Sequence, residues 1–180
     1  MQHIDLDSIE NNIACLTKTK AAFLREACIW CLLTCDHKNG VELEAAIVKK
    51  ILPHSIIWGE NEDFSKLKMS YNLDDAIEFG AEAISLLFIQ QNTDYKVIQR
   101  AVKKTGIDYW LKKDDSQPLF SMGDARLEIS GILKERGSNT VKKRISEKIA
   151  QARKGPKVFP VFISVVEFSK PMAKAEKFHD

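Results

Sequence analysis

The chain has 180 residues, 44% of them hydrophobic and 29% charged, with a net charge of +2. That balance excludes a disordered chain, and the length suits one full core. The longest apolar runs, 84–89 and 158–168, are too short to span a bilayer, and the acidic start (Asp5, Asp7, Glu10) lacks the basic-then-apolar pattern of a secretory leader. A cytoplasmic protein with no membrane partner is expected.

Residues 8–36 have the pattern of a helix broken in the middle, stopped at Asn39-Gly40. All four cysteines, Cys15, Cys28, Cys31 and Cys35, fall in this stretch, and Cys28, Cys31 and Cys35 with His37 form a string that invites a zinc or iron–sulfur reading. Against it, Cys28, Cys31 and Cys35 lie at i, i+3 and i+7, one helical stripe continued by Leu24, Ala27 and Leu32. No second cysteine pair exists to complete a metal site, so the stripe reads as a buried face. In 41–48, Glu42 and Glu44 alternate with Val41, Leu43 and Ala45. A β-like run over 55–58 follows Pro53, and the two together suggest a hairpin. Residues 60–71 look like a polar connection with one helical turn.

The clearest helix covers 74–91, where Ile77, Ala81, Ile84 and Phe88 repeat at helical spacing and Asp74 and Asp75 suit the N-terminal end. Glu78 and Glu82 lie along one edge of its apolar stripe. Strands are expected over 95–101, over 106–112, and within 120–133 after a turn at 114–118. A second helix covers 140–153, with Val141, Ile145 and Ile149 as its seam, and ends at Gly155-Pro156. Residues 158–168 are apolar on both faces and read as a central strand. The chain is thus expected to be one domain over 1–180. A helix and hairpin extension takes 1–72, the core takes 73–169, and 170–180 forms a charged, frayed tail. The core order of helix, three strands, helix, strand gives a mixed α/β sheet, with 140–153 as a crossover of the length that parallel pairing needs.

Two acids stand out. Asp108 and Glu128 each sit among apolar residues in an expected strand, where a carboxylate is costly unless paired, hydrogen-bonded or bound to metal. Joined as a hairpin, the strands bring the two acids side by side. Paired carboxylates at a sheet suit a divalent ion, with Glu78 or Glu82 as a third oxygen donor. The plain alternatives are an ion pair of Asp108 with Arg126 or a lysine, a cross-strand pair at Glu128, and solvated glutamates on the helix. Trp110 could stack on a base but suits a core better. From Lys134 to Lys157 nine basic residues face only Glu135 and Glu147, a density that suits phosphate contacts or a solvated helix face.

Gly106-Ile107-Asp108, followed by Leu127-Glu128-Ile129-Ser130 and a basic helix, resembles the PD-(D/E)XK nuclease superfamily. The resemblance covers residues 74–169 and implies an αβββαβ restriction-endonuclease-like core. It also implies Mg²⁺ or Mn²⁺ held by Glu78, Asp108 and Glu128, and Gln151 resembles the glutamine some members carry on the second helix. Gly-x-Asp-Tyr-Trp-Leu with Ala-Arg-Leu-Glu-x-Ser-Gly is similar, in addition, to a bacterial protein family that brings no activity with it. One position departs from the superfamily: Ser130 stands where the motif lysine belongs. Some members recruit that lysine from a neighbouring element, and Lys148, Lys142 and Lys112 are the candidates, with Lys148 preferred.

The expected function is a metal-dependent nuclease acting on DNA in a bacterial defence or mobile-element setting. Lys142, Lys143, Arg144 and Gln151 would contact nucleic acid. The alternative is a catalytically inactive nuclease-fold subunit that binds a protein partner or a second copy of itself. Ser130 and the modest net charge favour that alternative.

Overall fold

Every residue of Val161–Glu167 is buried, as a nearly apolar run requires, and this strand lies inside an eight-stranded mixed sheet. The computed structural model describes residues 2–48, 50–59, 63–102, 106–113, 123–153 and 159–178. The strands are β1 (Gln2–Asp5), β2 (Val41–Ile47), β3 (Lys50–Ile57), β4 (Lys96–Arg100), β5 (Tyr109–Lys112), β6 (Ala125–Ile132), β7 (Val161–Glu167) and β8 (Met172–Phe178). The helices are α1 (Ile9–Asn12), α2 (Lys18–Thr34), α3 (Phe64–Ser70), α4 (Leu73–Asn92) and α5 (Val141–Ala152). The sheet order is β1-β3-β2-β8-β7-β6-β5-β4. Pairs β1/β3, β2/β8 and β6/β7 are parallel, and the remaining neighbours are antiparallel.

From α4 onward the elements follow the expected order, and α5 makes the crossover between the parallel strands β6 and β7. The helix expected over 8–36 is indeed broken, into α1 and α2, with Thr17 accepting from the Lys20 amide at the start of α2. The hairpin expected in 41–58 is β2/β3. Pro53 is tolerated within β3 because β1 pairs only from His54 onward. The turn at 114–118 and the Gly155-Pro156 stop lie outside the described residues.

Two expectations are corrected. The frayed tail expected from residue 170 is instead a strand as far as the described residues run: Met172–Phe178 forms β8, held between β7 and β2. Ala173 and Ala175 are fully buried while Lys174 and Glu176 point to a less buried face, an alternation that the charged composition conceals. β8 also joins the first 72 residues to the core as part of the same sheet. The second correction is Asp108, which precedes β5 and does not lie within it. Gly106 explains the displacement: its φ of +74° turns the chain before it enters the strand.

Helices α2 and α4 cover one face of the sheet with the large core, and α5 covers the other with Ile132, Val141, Ile145, Val161, Ile163 and Val165. Two glycines set how closely α4 is held. At Gly80 an added Cβ would lie 3.0 Å from the Cys28 Cα of α2, and at Gly131 it would lie 2.4 Å from the Ile77 carbonyl oxygen. The second contact seats the first turns of α4 directly on β6, with Glu78 the next residue along. Gly131→Ala should therefore cost about 1–3 kcal/mol, a fall in Tm on the order of 5 °C, because the obstructing atom is backbone. Thermal denaturation measures it, and an unchanged Tm would contradict the close approach.

Candidate functional site

The β5–β6 ladder ends early. Tyr109 pairs with Leu127, and the last rung is the Asp108 amide on the Leu127 carbonyl at 2.8 Å. Continuing that register sets Asp108 directly across from Glu128. The Asp108 carboxylate then takes the place of the next strand bond, its Oδ2 accepting from the Ile129 amide at 2.8 Å. Beyond this point β7 is the partner of β6 among the described residues, and the last residues of β6 form the floor of an open cleft.

The cleft has a volume of about 480 Å³, with Glu78, Asp108, Glu128 and Lys148 all on its wall. A second cleft of about 490 Å³ shares Glu78, Asp108 and Glu128 and adds Arg100, Gly106 and Gln151. The three acids chosen from sequence thus stand at the junction of two clefts, brought there by α4, the β5 entry and β6.

α5 forms the facing wall. Thr140 caps it by accepting from the Lys143 amide at 3.2 Å, and Glu135 accepts from the Val141 amide at 2.6 Å. With Val141 and Ile145 buried, the helix turns Arg144, Lys148 and Gln151 (i, i+4, i+7) along the clefts. Lys148 Nζ donates to Glu128 Oε1. Arg144 is anchored to Asn139 Oδ1 at 2.8 Å. Lys142 and Lys143 line neither cleft; Lys143 pairs with Glu147 at 3.7 Å.

The plain alternatives divide. Arg126 donates to the Phe159 carbonyl at 2.8 Å, and the partner found for Glu128 is Lys148. Lys112 is four residues along the chain from Asp108 and lines neither cleft; among the described residues Lys148 is the lysine on the cleft wall. Trp110 packs edge-on against Phe159, ring centroids 6.1 Å apart. Glu82, 4% exposed, also lines the first cleft; its Oε1 accepts from Tyr109 Oη and from Arg100 Nη1 at 2.8 Å, with Lys20 Nζ at 3.8 Å. The sequence reading missed this network, because nothing local links Lys20, Glu82, Arg100 and Tyr109. The one available signal was Arg100 closing a strand shortly before Gly106-Ile107-Asp108.

The cysteine stripe is a packing face. Cys28 and Cys31 are fully buried, and Cys31 Sγ donates to the Ala76 carbonyl at 3.2 Å. Burial pushes both thiols far up and Cys15 up to about 11, which disfavours the thiolate a metal requires. The His37 ring hydrogen-bonds the Phe168 carbonyl at 2.9 Å.

Among the described residues no three His, Cys, Asp or Glu side chains already converge as a metal-holding group. The donor chemistry at the cleft nonetheless fits a hard divalent cation: carboxylates from three elements, two of them mutually repelling. Burial raises the Glu128 pKa above the ordinary range, the Lys148 hydrogen bond pulls it back, and the negative Asp108 pushes it up again. Comparison with protein-family models, with curated proteins and with solved structures finds no match for this chain.

The raised Glu128 pKa has a sign that stability can test. Below the ordinary glutamate value of 4.5 the group is protonated folded and unfolded, and it contributes nothing. Above it the unfolded chain ionises first, so stability falls as pH rises towards the folded pKa. With a chelator present, Glu128→Gln should melt above the wild type at about pH 8, and the gap should close by about pH 4. A variant melting below the wild type at about pH 8 would contradict this.

Proposed function

We propose that the chain is a metal-dependent nuclease-like protein that hydrolyses phosphodiester bonds in DNA, in a bacterial defence or mobile-element setting. Its core would be the αβββαβ arrangement of the PD-(D/E)XK superfamily. The observation that carries this reading is the Lys148 ammonium bonded to Glu128, reached across the cleft from α5. It would supply the cation that Ser130 cannot, beside Asp108 and Glu128, where the motif lysine would act.

Asp108, Glu128 and Glu78 would hold Mg²⁺ or Mn²⁺. When bound, the ion would lower the pKa of a water and act as a Lewis acid on the phosphoryl group. Asp108 is held in place by the Ile129 amide, so it meets a cation with little reorganisation. Lys148 would stabilise the negative charge that builds on the phosphoryl oxygens and orient the attacking water. Arg144 and Gln151 extend the same helix face along the strand to be cut, and the cleft-lining pattern supports them over Lys142 and Lys143 as contacts.

One observation favours a second reading, an inactive nuclease-fold subunit that binds a protein partner or a second copy. The Lys148–Glu128 pair satisfies a carboxylate only 8% exposed, as a purely structural ion pair would. Plasmid cleavage with Mn²⁺ separates the two. Asp108→Ala and Glu128→Ala should abolish nicking, and Lys148→Ala should slow it by roughly 10²–10³-fold while the fold is retained. Wild-type protein that leaves the plasmid intact with either metal would favour the inactive subunit.

A further inference from the structure

The second cleft poses an electrostatic problem. Glu78, Asp108 and Glu128 all line it, and of the described residues on its wall Arg100 alone carries a positive charge. A nucleic-acid strand entering over three carboxylates needs a cation on this side, as Lys148 and Arg144 provide in the first cleft.

Arg100 is built for that task. It ends β4, and the neighbouring Ala101 amide bonds the Asp108 carbonyl at 2.8 Å, so the arginine and the acid are held on adjacent backbone. Its Nη1 donates to Glu82 Oε1 at 2.8 Å, and the guanidinium lies over the Tyr109 ring, 5.7 Å from the centroid. Glu82 is fixed beneath it by Tyr109 Oη and sits near Lys20 Nζ at 3.8 Å. One carboxylate between two cations leaves a net positive charge, and the guanidinium is the outer, exposed partner: 45% of its side-chain surface is open, against 5% for Glu82. A guanidinium has five N–H donors in a rigid fork. Glu82 takes an N–H of the fork at Nη1, and the half-exposed side chain lines the second cleft.

We propose that Arg100 is a phosphate anchor in the second cleft, gripping a backbone phosphate of the DNA on the far side of the carboxylates from Arg144, with Glu82 and Tyr109 as its positioning residues. The proposal rests on the nuclease-like reading for its choice of ligand. The chemistry recognised is a phosphodiester oxygen pair, matched by the planar fork. Gln151 lines the same cleft from α5 and adds a neutral donor from the opposite element.

The test is equilibrium binding of a short duplex DNA by fluorescence anisotropy, in chelator so that no cleavage occurs, over a range of salt. Each lost phosphate contact lowers the slope of log K against log salt by about 0.9. Arg100→Gln should bind roughly tenfold more weakly near physiological salt and show that reduced slope. Arg100→Lys should retain the slope, and its melting curve controls for folding, since it keeps a cation beside Glu82. Wild-type slope and affinity in Arg100→Gln would show that the arginine serves only to neutralise Glu82, and would overturn the anchor without touching the nuclease reading. No DNA binding by the wild type would overturn both.

Discussion

The constraint on which the site depends is the early end of the β5–β6 ladder. Antiparallel strands normally exchange main-chain bonds rung by rung, and after the Asp108 amide meets the Leu127 carbonyl the next bond to β6 comes from the Asp108 carboxylate at the Ile129 amide. A side chain that replaces a backbone partner satisfies the strand and stops it. Everything around the acids follows. β6 carries Glu128 past the end of β5, the space vacated becomes two clefts, and α4 and α5 close over it from opposite sides of the sheet.

Closure on the α4 side relies on absent atoms. Gly131 lets the Ile77 carbonyl rest on β6, and Gly80 lets α2 rest on α4, so Glu78 is delivered to the cleft by backbone contact. Closure on the α5 side relies on charge. Lys148 crosses from a helix whose buried seam is only Val141 and Ile145, and its pairing with Glu128 helps offset the cost of burying that carboxylate. Arg144 and Lys148 on one side and Arg100 on the other flank a concentrated negative centre.

Much of this was legible in the sequence because its signals are periodic or local. Ile77, Ala81, Ile84 and Phe88 specify α4; Val141 and Ile145 specify α5; the two-sided apolar run specifies β7. The hairpin pairing was expected too, and the structure's register sets Asp108 across from Glu128 although Asp108 lies outside the strand it was assigned to. What escaped depends on tertiary context. β8 hides its alternation in alanines between charges, and β1 is four residues long. The Lys20–Glu82–Arg100–Tyr109 network joins residues from α2, α4, β4 and β5, and no spacing in the sequence announces it. Glu82, which shares a helix edge with Glu78, also lines the first cleft, with its Oε1 engaged by Tyr109, Arg100 and Lys20.

The most direct test of the account is calorimetric titration of Mn²⁺ into the wild-type protein and into Asp108→Asn, which keeps the side-chain shape and an oxygen for the Ile129 amide. The account predicts saturable binding by the wild type and a loss of at least roughly tenfold in affinity for the variant, with unchanged melting in metal-free buffer. Equal binding by the two proteins, or none by either, would contradict a divalent-metal centre at the end of β5.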